Sequence, residues 1–155
     1  MASPWIQALR SVALEVPDLA AAEAFYTGTW RLVVADRRPG VLYLRGSGSD
    51  AYLLALHQGP ETRIRAVTLR ARESSALHAV AQAAVAAGGC VISGPAPLAD
   101  DPAGGQGLTV RDPDGRLYQV VHGDHQLPPL DADRDRPLRL AHAVLNAHDV
   151  PLAQG

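Results

Sequence analysis

The sequence predicts an α+β fold built from two paired βαβββ modules, residues 7–59 and 62–122. Three observations carry this expectation. The order strand, helix, strand, strand, strand occurs twice. The strands alternate apolar and polar residues, whereas the segments after the first strand of each copy repeat at helical spacing. Turn-forming residues separate nearly all of the remaining pieces.

In the first copy, "SVALEV" places Val12, Leu14 and Val16 on one face and Ser11, Ala13 and Glu15 on the other. "PDLAAAEAFYTGTW" follows as a helix, with Asp18 in the N-cap position and Leu19, Ala22, Phe25 and Tyr26 at helical spacing. "RLVVAD", "VLYLR" and "AYLLALH" read as strands separated by "RRPG" and "GSGSD". In the second copy, "RIRAVTLRA" is a strand and "ESSALHAVAQAAVAAGG" a helix ended by Gly88 and Gly89. "CVISG", "GLTVRD" and "RLYQVVH" are strands, the last two joined by the tight turn "DPDG". The long loop "GPAPLADDPAGGQ" is placed to close over a cavity.

The two copies share a register. Leu14 and Leu69 stand 55 residues apart, as do Asp18 and Glu73. Leu14 and Leu145 stand 131 apart, as do Asp18 and Asp149, so "RLAHAVLNAHDV" reads as the first strand of a third copy. Between copies two and three, "GDHQLPPLDADRDRP" is polar and proline-rich, with four Asp and two Arg. That is the composition of an interdomain linker. The expected organisation is a two-module domain over 1–122, a linker over 123–138, and over 139–155 the first strand of a further domain that the chain does not complete.

A single βαβββ sheet leaves one concave face uncovered, so two modules must pair to enclose a cup. "VALEVPDLAAAEAFY" and "VRDPDGRLYQVV" resemble the vicinal oxygen chelate superfamily, which includes glyoxalases, bleomycin-resistance proteins and type I extradiol dioxygenases. The resemblance covers nearly all of residues 7–122 and implies the glyoxalase-like fold. In metal-binding members a first-strand His or Gln and a last-strand carboxylate hold a divalent ion in the cup. Carried over, those slots are Ser11 and Ala66 on the first strands, and Leu54 and Gln119 on the last, with Leu54 assigned by aligning His57 with His122. Such a set cannot hold iron or zinc, so residues 1–122 are expected to be metal-free and non-catalytic. His142, three residues before Leu145, occupies the first-strand slot of the third copy. The pattern is most similar to the N-terminal domain of a type I extradiol ring-cleavage dioxygenase of the 2,3-dihydroxybiphenyl kind. That likeness implies that His142 is a metal ligand, that the complete enzyme uses Fe(II), and that its substrate is a small catecholic molecule. It assigns no catalytic residue within these 155 positions.

Other titratable residues read as structural. His57 and His122 are expected at strand ends, solvated and facing away from the ligand slots. His78 lies on a helix, His125 in the linker, and His148 six residues past His142, poor spacing for a shared ion. Glu15 and Arg70 occupy equivalent inward positions and are expected to pair across the cup. Cys90 reads as a small buried residue at a strand start.

Composition sets the outer limits. The chain has 155 residues, enough for a substantial core. All 14 basic residues are Arg against 16 acidic ones. The absence of Lys excludes P-loop and Schiff-base chemistry. No basic block suggests nucleic acid, and no apolar run reaches the length of a membrane span. One cysteine excludes an intrachain disulfide. "MASPWIQALRSVALEV" lacks the form of a signal peptide. A cytoplasmic location is expected, with room for a homo-oligomer. Two alternatives to the dioxygenase part remain. One is a stand-alone small-molecule-binding protein of the bleomycin-resistance type, against which the scarcity of aromatics on the inner strands counts. The other is a glyoxalase-like lyase, disfavoured by the ligand slots.

Overall fold

A computed structural model describes residues 3–147. The elements follow in chain order as β1 (Ile6–Val16), α1 (Leu19–Gly28), β2 (Val33–Arg38), β3 (Val41–Arg45) and β4 (Leu54–Gln58), then β5 (Arg63–Ala71), α2 (Ser75–Ala86), β6 (Cys90–Pro97), β7 (Gln106–Arg111) and β8 (Leu117–His122). This is the expected double βαβββ order.

Local chemistry sets the element ends. Asp18 is extended, and its side chain accepts the Ala21 N–H at 2.9 Å, capping α1. The equivalent acid in copy two, Glu73, makes no such cap; Ser74 stands at the N-cap of α2, also without a side-chain cap bond. α2 ends where Gly88 takes φ +86°, a left-handed conformation that side chains other than glycine's resist. The "DPDG" turn closes as expected, with the Gly115 N–H donating to the Asp112 carbonyl and the Asp112 N–H to that of Arg116, both at 3.0 Å.

The eight strands form one sheet in the order β2-β3-β4-β1-β5-β8-β7-β6. Within each module the helix carries the chain from the central strand to the sheet's far edge, and two hairpins bring it back. The last strand therefore lies parallel to the first, β4 beside β1 and β8 beside β5. The modules join through β1 and β5, which run antiparallel. Strands on either side of a helix are not sheet neighbours, so the continuous sheet is not a doubly wound one.

Alternation then divides the sheet into two faces. On one, Val12, Leu14, Leu54 and Leu56 pack with Leu19, Ala22 and Tyr26 of α1. Leu69, Leu108, Val110 and Val120 pack with Leu77, Val80 and Ala84 of α2. Both helices thus cover the same face and leave the other open as a cup. Three register shifts interrupt β1/β5 pairing: Ile6 opposes Ala71 and Ala8 opposes Arg70, which leaves Gln7 extra, and two more lie farther along the strands. Leu9 opposes Leu69 and Ser11 opposes Thr68, which leaves Arg10 as an extra residue; Ala13 opposes Ala66 and Leu14 opposes Ile64, which leaves Arg65 extra.

Residues 123–140 do not run free. Leu127 and Leu130 N–H groups donate to the carbonyls of Ser49 and Ser47, and Ser47 and Gly48 N–H groups donate to those of Pro137 and Leu138. The glycines of "GSGSD" serve this docking more than a turn. A Cβ at Gly46 would stand 2.1 Å from the Pro137 oxygen, and one at Gly48 2.4 Å from the Leu138 oxygen. Leu140 packs against the α1-side core. Gly48→Ala should therefore push the segment off the domain and cost about 1–3 kcal/mol. A fall in melting temperature and faster hydrogen exchange at Gly48 and Leu130 are the expected readouts, with the exchange of β7 and β8 unchanged.

Residues 139–147, expected as a strand, carry no strand hydrogen bonding. A strand needs a partner edge, and this stretch instead follows the body of the domain, with Arg116 Nη1 donating to the Asn146 carbonyl at 2.5 Å. Asp149 and His148 lie outside the described residues.

Candidate functional site

The cup is a cavity of about 430 Å³, within the range of small-molecule sites. Its floor comes from the paired central strands and their parallel neighbours: Ser11 and Ala13 of β1, Ala66 and Thr68 of β5, Ala55 of β4 and Gln119 of β8. Small side chains predominate, so a flat body can lie close to the sheet. Tyr43 and Tyr52 form one wall, their ring centroids 4.9 Å apart in an edge-on arrangement. Leu117 and Thr109 line the second module's side.

The end of β6 and the loop after it form a further wall, as the loop's length and position led us to expect, with Pro97, Leu98 and Asp101 lining the cavity. It comes from module two but is gripped by module one. Arg38 Nη1 donates to the Asp100 carbonyl, and Tyr52 Oη donates to Asp101 Oδ2 at 2.7 Å.

Beneath that wall lies a buried ionic network that sequence reading missed. Arg10 is fully buried. Its Nη2 donates to Tyr52 Oη at 2.5 Å and stands 3.3 Å from Asp101 Oδ2, and its guanidinium carbon sits 4.4 Å from the centre of the Tyr52 ring. Its Nη1 is 3.8 Å from Asp124 Oδ2. Asp124 in turn accepts two bonds from Arg70, at 2.9 and 2.7 Å, and Arg70 also donates to Asp50 at 2.8 Å. Burial by itself would raise the Asp124 carboxyl pKa, but the Arg70 hydrogen bonds and the charges of Arg70 and Arg10 hold it below its ordinary value. Burial raises the Tyr52 phenol far above its usual pKa, so it stays a donor. By strict alternation Arg10 would share a face with Val12. The bulge at Arg10 frees it from that alternation, and it meets the cup wall.

The expected slots are placed as follows. Ser11, Ala66 and Gln119 line the cup; Leu54 does not. The sheet shows why. Thr68 pairs with Gln119 and its counterpart Ala13 pairs with Ala55, so the first-module equivalent of Gln119 is Ala55. Aligning His57 with His122 slipped the register by one, and one residue turns a strand side chain to the other face. The same slip misplaced His57, which lines the cup and is half-buried. Burial, then the charge of Arg65, lowers its pKa against the opposing pull of Glu15.

Glu15 and Arg70 do not pair. Because β1 and β5 run antiparallel, equivalent positions lie at opposite ends of the central pair: Glu15 opposes Arg63 and Arg70 opposes Ala8. Glu15 instead binds Arg63 at 3.0 Å and lies 3.6 Å from Arg65, and the Arg63 hydrogen bond holds its carboxyl below the usual range. The aromatics judged scarce are present through Tyr43 and Tyr52. Cys90 is exposed rather than buried. His142 is exposed, beyond the segment docked at Ser47 and Gly48.

The expected ligand slots do not fit a divalent ion. Ser11, Ala55, Ala66 and Gln119 offer neither imidazole nor carboxylate, and among the described residues no three His, Cys, Asp or Glu side chains converge as a ligand group.

No family model matches the chain, and no curated protein matches it. Solved structures do. The Mn(II)-bound glyoxalase from Novosphingobium aromaticivorans is similar at 29% identity and TM-score 0.83, over 89% of this chain and 46% of that one. A variant of homoprotocatechuate 2,3-dioxygenase from B. fuscum is similar at 24% identity and TM-score 0.84, over 98% of this chain and 43% of that one. The enzyme of that name from Arthrobacter globiformis is similar at 22% identity and TM-score 0.80, over 90% and 45%. The chain spans less than half the length of each. These likenesses bear out the resemblance to the vicinal oxygen chelate superfamily and its glyoxalase-like fold, at low sequence identity.

No helix among the described residues is long and apolar enough to cross a membrane.

Proposed function

We propose that this chain is the metal-free N-terminal domain of an extradiol, catechol-type ring-cleavage dioxygenase. In this reading residues 123–138 link it to a catalytic domain that opens at residues 139–155. The observation that carries the proposal is the paired-module cup whose ligand slots hold Ser11, Ala55, Ala66 and Gln119. Its likeness to one part of a homoprotocatechuate 2,3-dioxygenase about twice as long supports it. Fe(II) and a catecholic substrate then belong to the catalytic domain, with His142 as one ligand of the ion. Fe(II) would supply the ring-opening chemistry there. The residues described here supply packing, a rigid eight-stranded frame, and a linker held in place by Ser47 and Gly48. A cytoplasmic setting and assembly with further copies go with this reading.

Tyr43 and Tyr52 in the cup wall favour a second reading, a stand-alone small-molecule-binding protein of the bleomycin-resistance type. A glyoxalase-like lyase lacks the metal-binding side chains it would need in the cup.

The test uses the 155-residue protein, purified without air and supplied with iron(II). Catechol and 2,3-dihydroxybiphenyl should give no yellow ring-fission product, and elemental analysis should find iron, zinc and manganese well below one per chain. Formation of the yellow product would overturn the reading. On the same reading, the coding sequence beyond Gly155 should continue in frame to a second His and a Glu; a stop codon there would favour the stand-alone protein.

A further inference from the structure

Most of the cup's ionised groups are engaged within the protein, the exposed Asp100 carboxylate excepted. Asp101 is held by Arg10 and Tyr52, and Arg65 lies beside Glu15, which also holds Arg63. His57 is disposed to stay neutral, through its burial and the charge of Arg65. What faces the cavity without a hydrogen-bond partner among the described residues is a set of neutral groups: the hydroxyls of Ser11, Tyr43 and Thr109, and the His57 ring. Gln119 joins them through its amide nitrogen, its oxygen being engaged only by a long 3.4 Å bond from the Thr68 hydroxyl. Ser11 and Thr68 are almost wholly buried, so these polar groups are built into the floor rather than left at the surface.

Buried polar groups need partners. Between these groups Ala13, Ala55 and Ala66 keep the floor low, and the Tyr43–Tyr52 pair stands at its side. An anionic ligand would meet no cation free of a carboxylate, and a cationic one would meet only the solvent-exposed Asp100; either would lose its hydration. A wholly apolar one would leave the hydroxyls and the amide unsatisfied.

We propose that the cup is a binding site for an uncharged, planar molecule of one or two rings that carries hydrogen-bonding oxygen or nitrogen along one edge. The polar edge meets Gln119, Ser11 and His57, and the ring lies over the alanine floor between Tyr43 and the loop at Leu98. This goes beyond the dioxygenase reading and rests on the cup's geometry alone, so loss of either leaves the other standing.

The probe is 2-naphthol, compared with 2-naphthoate, which has the same ring frame and a charged head. Titration followed by amide chemical shifts should show saturable binding of 2-naphthol, with shifts concentrated at Ala13, Ala55, Ala66 and Gln119. The naphthoate should bind at least about tenfold more weakly. Gln119→Leu should weaken 2-naphthol binding several-fold. Ala66→Leu, which fills the floor, should abolish it, with a native-like spectrum confirming that the variant folds. The proposal is overturned by any of four results: no saturation by ~1 mM, shifts that fall outside the cup, naphthoate bound as tightly as naphthol, or binding indifferent to Gln119→Leu.

Discussion

Asp124→Ala is expected to destabilise the domain by about 3–5 kcal/mol, the range for removing one partner from a buried ionic network. The Asp124 side chain is 2% exposed and, among the described residues, is the one carboxylate that touches both Arg10 and Arg70. Its removal leaves Arg10 to Tyr52 and Asp101, and Arg70 to Asp50 alone. Two guanidinium groups, that of Arg10 fully buried and that of Arg70 largely so, then lose a shared counter-charge. Urea unfolding measures the loss directly. Asp36→Ala, which removes the exposed partner of Arg38, should change stability by less than about 1 kcal/mol and serves as the contrast.

The same carboxylate gives a pH dependence of known sign. Its folded pKa lies below the unfolded value of about 3.9. Between the two values the unfolded chain binds more protons than the folded one, so stability rises with pH across that window. The contribution is complete above about pH 4 and is lost as pH falls through the folded pKa. Unfolding midpoints of the native protein should therefore decline below pH 4, and those of Asp124→Asn should decline less steeply. Equal slopes would remove Asp124 from the account.

Leu56→Ala is expected to cost about 2–5 kcal/mol, as cavity-forming substitutions in packed cores do. Leu56 is fully buried at the centre of the module-one core, opposite Leu14 on one side and Leu42 on the other. Leu108 holds the comparable place in the module-two core. Because β1 and β5 are paired along most of their length, neither core can open without stripping strand hydrogen bonds from the other. Leu56→Ala and Leu108→Ala should each lower the midpoint of a single cooperative transition. A second transition in either variant would show modules that unfold independently.

Much of the fold was legible in local patterns. The alternation of "SVALEV", the Asp18 cap, the Gly88 stop and the "DPDG" hairpin each depend on a few adjacent residues, and the double order of elements followed from them. The floor of the cup was legible in part: Ser11 and Ala66 stand where the 55-residue register placed them, and Gln119 where the family resemblance did. Leu54 and His57 were misplaced because the two modules differ in loop length. A shift of one between aligned strands leaves composition unchanged while turning every side chain to the other face.

The sequence by itself determined the two modules, their strand and helix boundaries to within a few residues, and the place of Ser11, Ala66 and Gln119 in the floor. Those features arise from contacts between near neighbours in the chain. Only the tertiary structure decided that Ala55 rather than Leu54 completes the floor and that Glu15 and Arg70 lie at opposite ends of the β1/β5 pair. It alone decided that a bulge frees Arg10 to meet Tyr52, Asp101 and Asp124, and that Pro137 and Leu138 lie against Gly46 and Gly48. Each of these depends on which distant strand lies alongside and in what register. That choice is made by burial and hydrogen bonding across the whole sheet, and no local stretch of sequence records it.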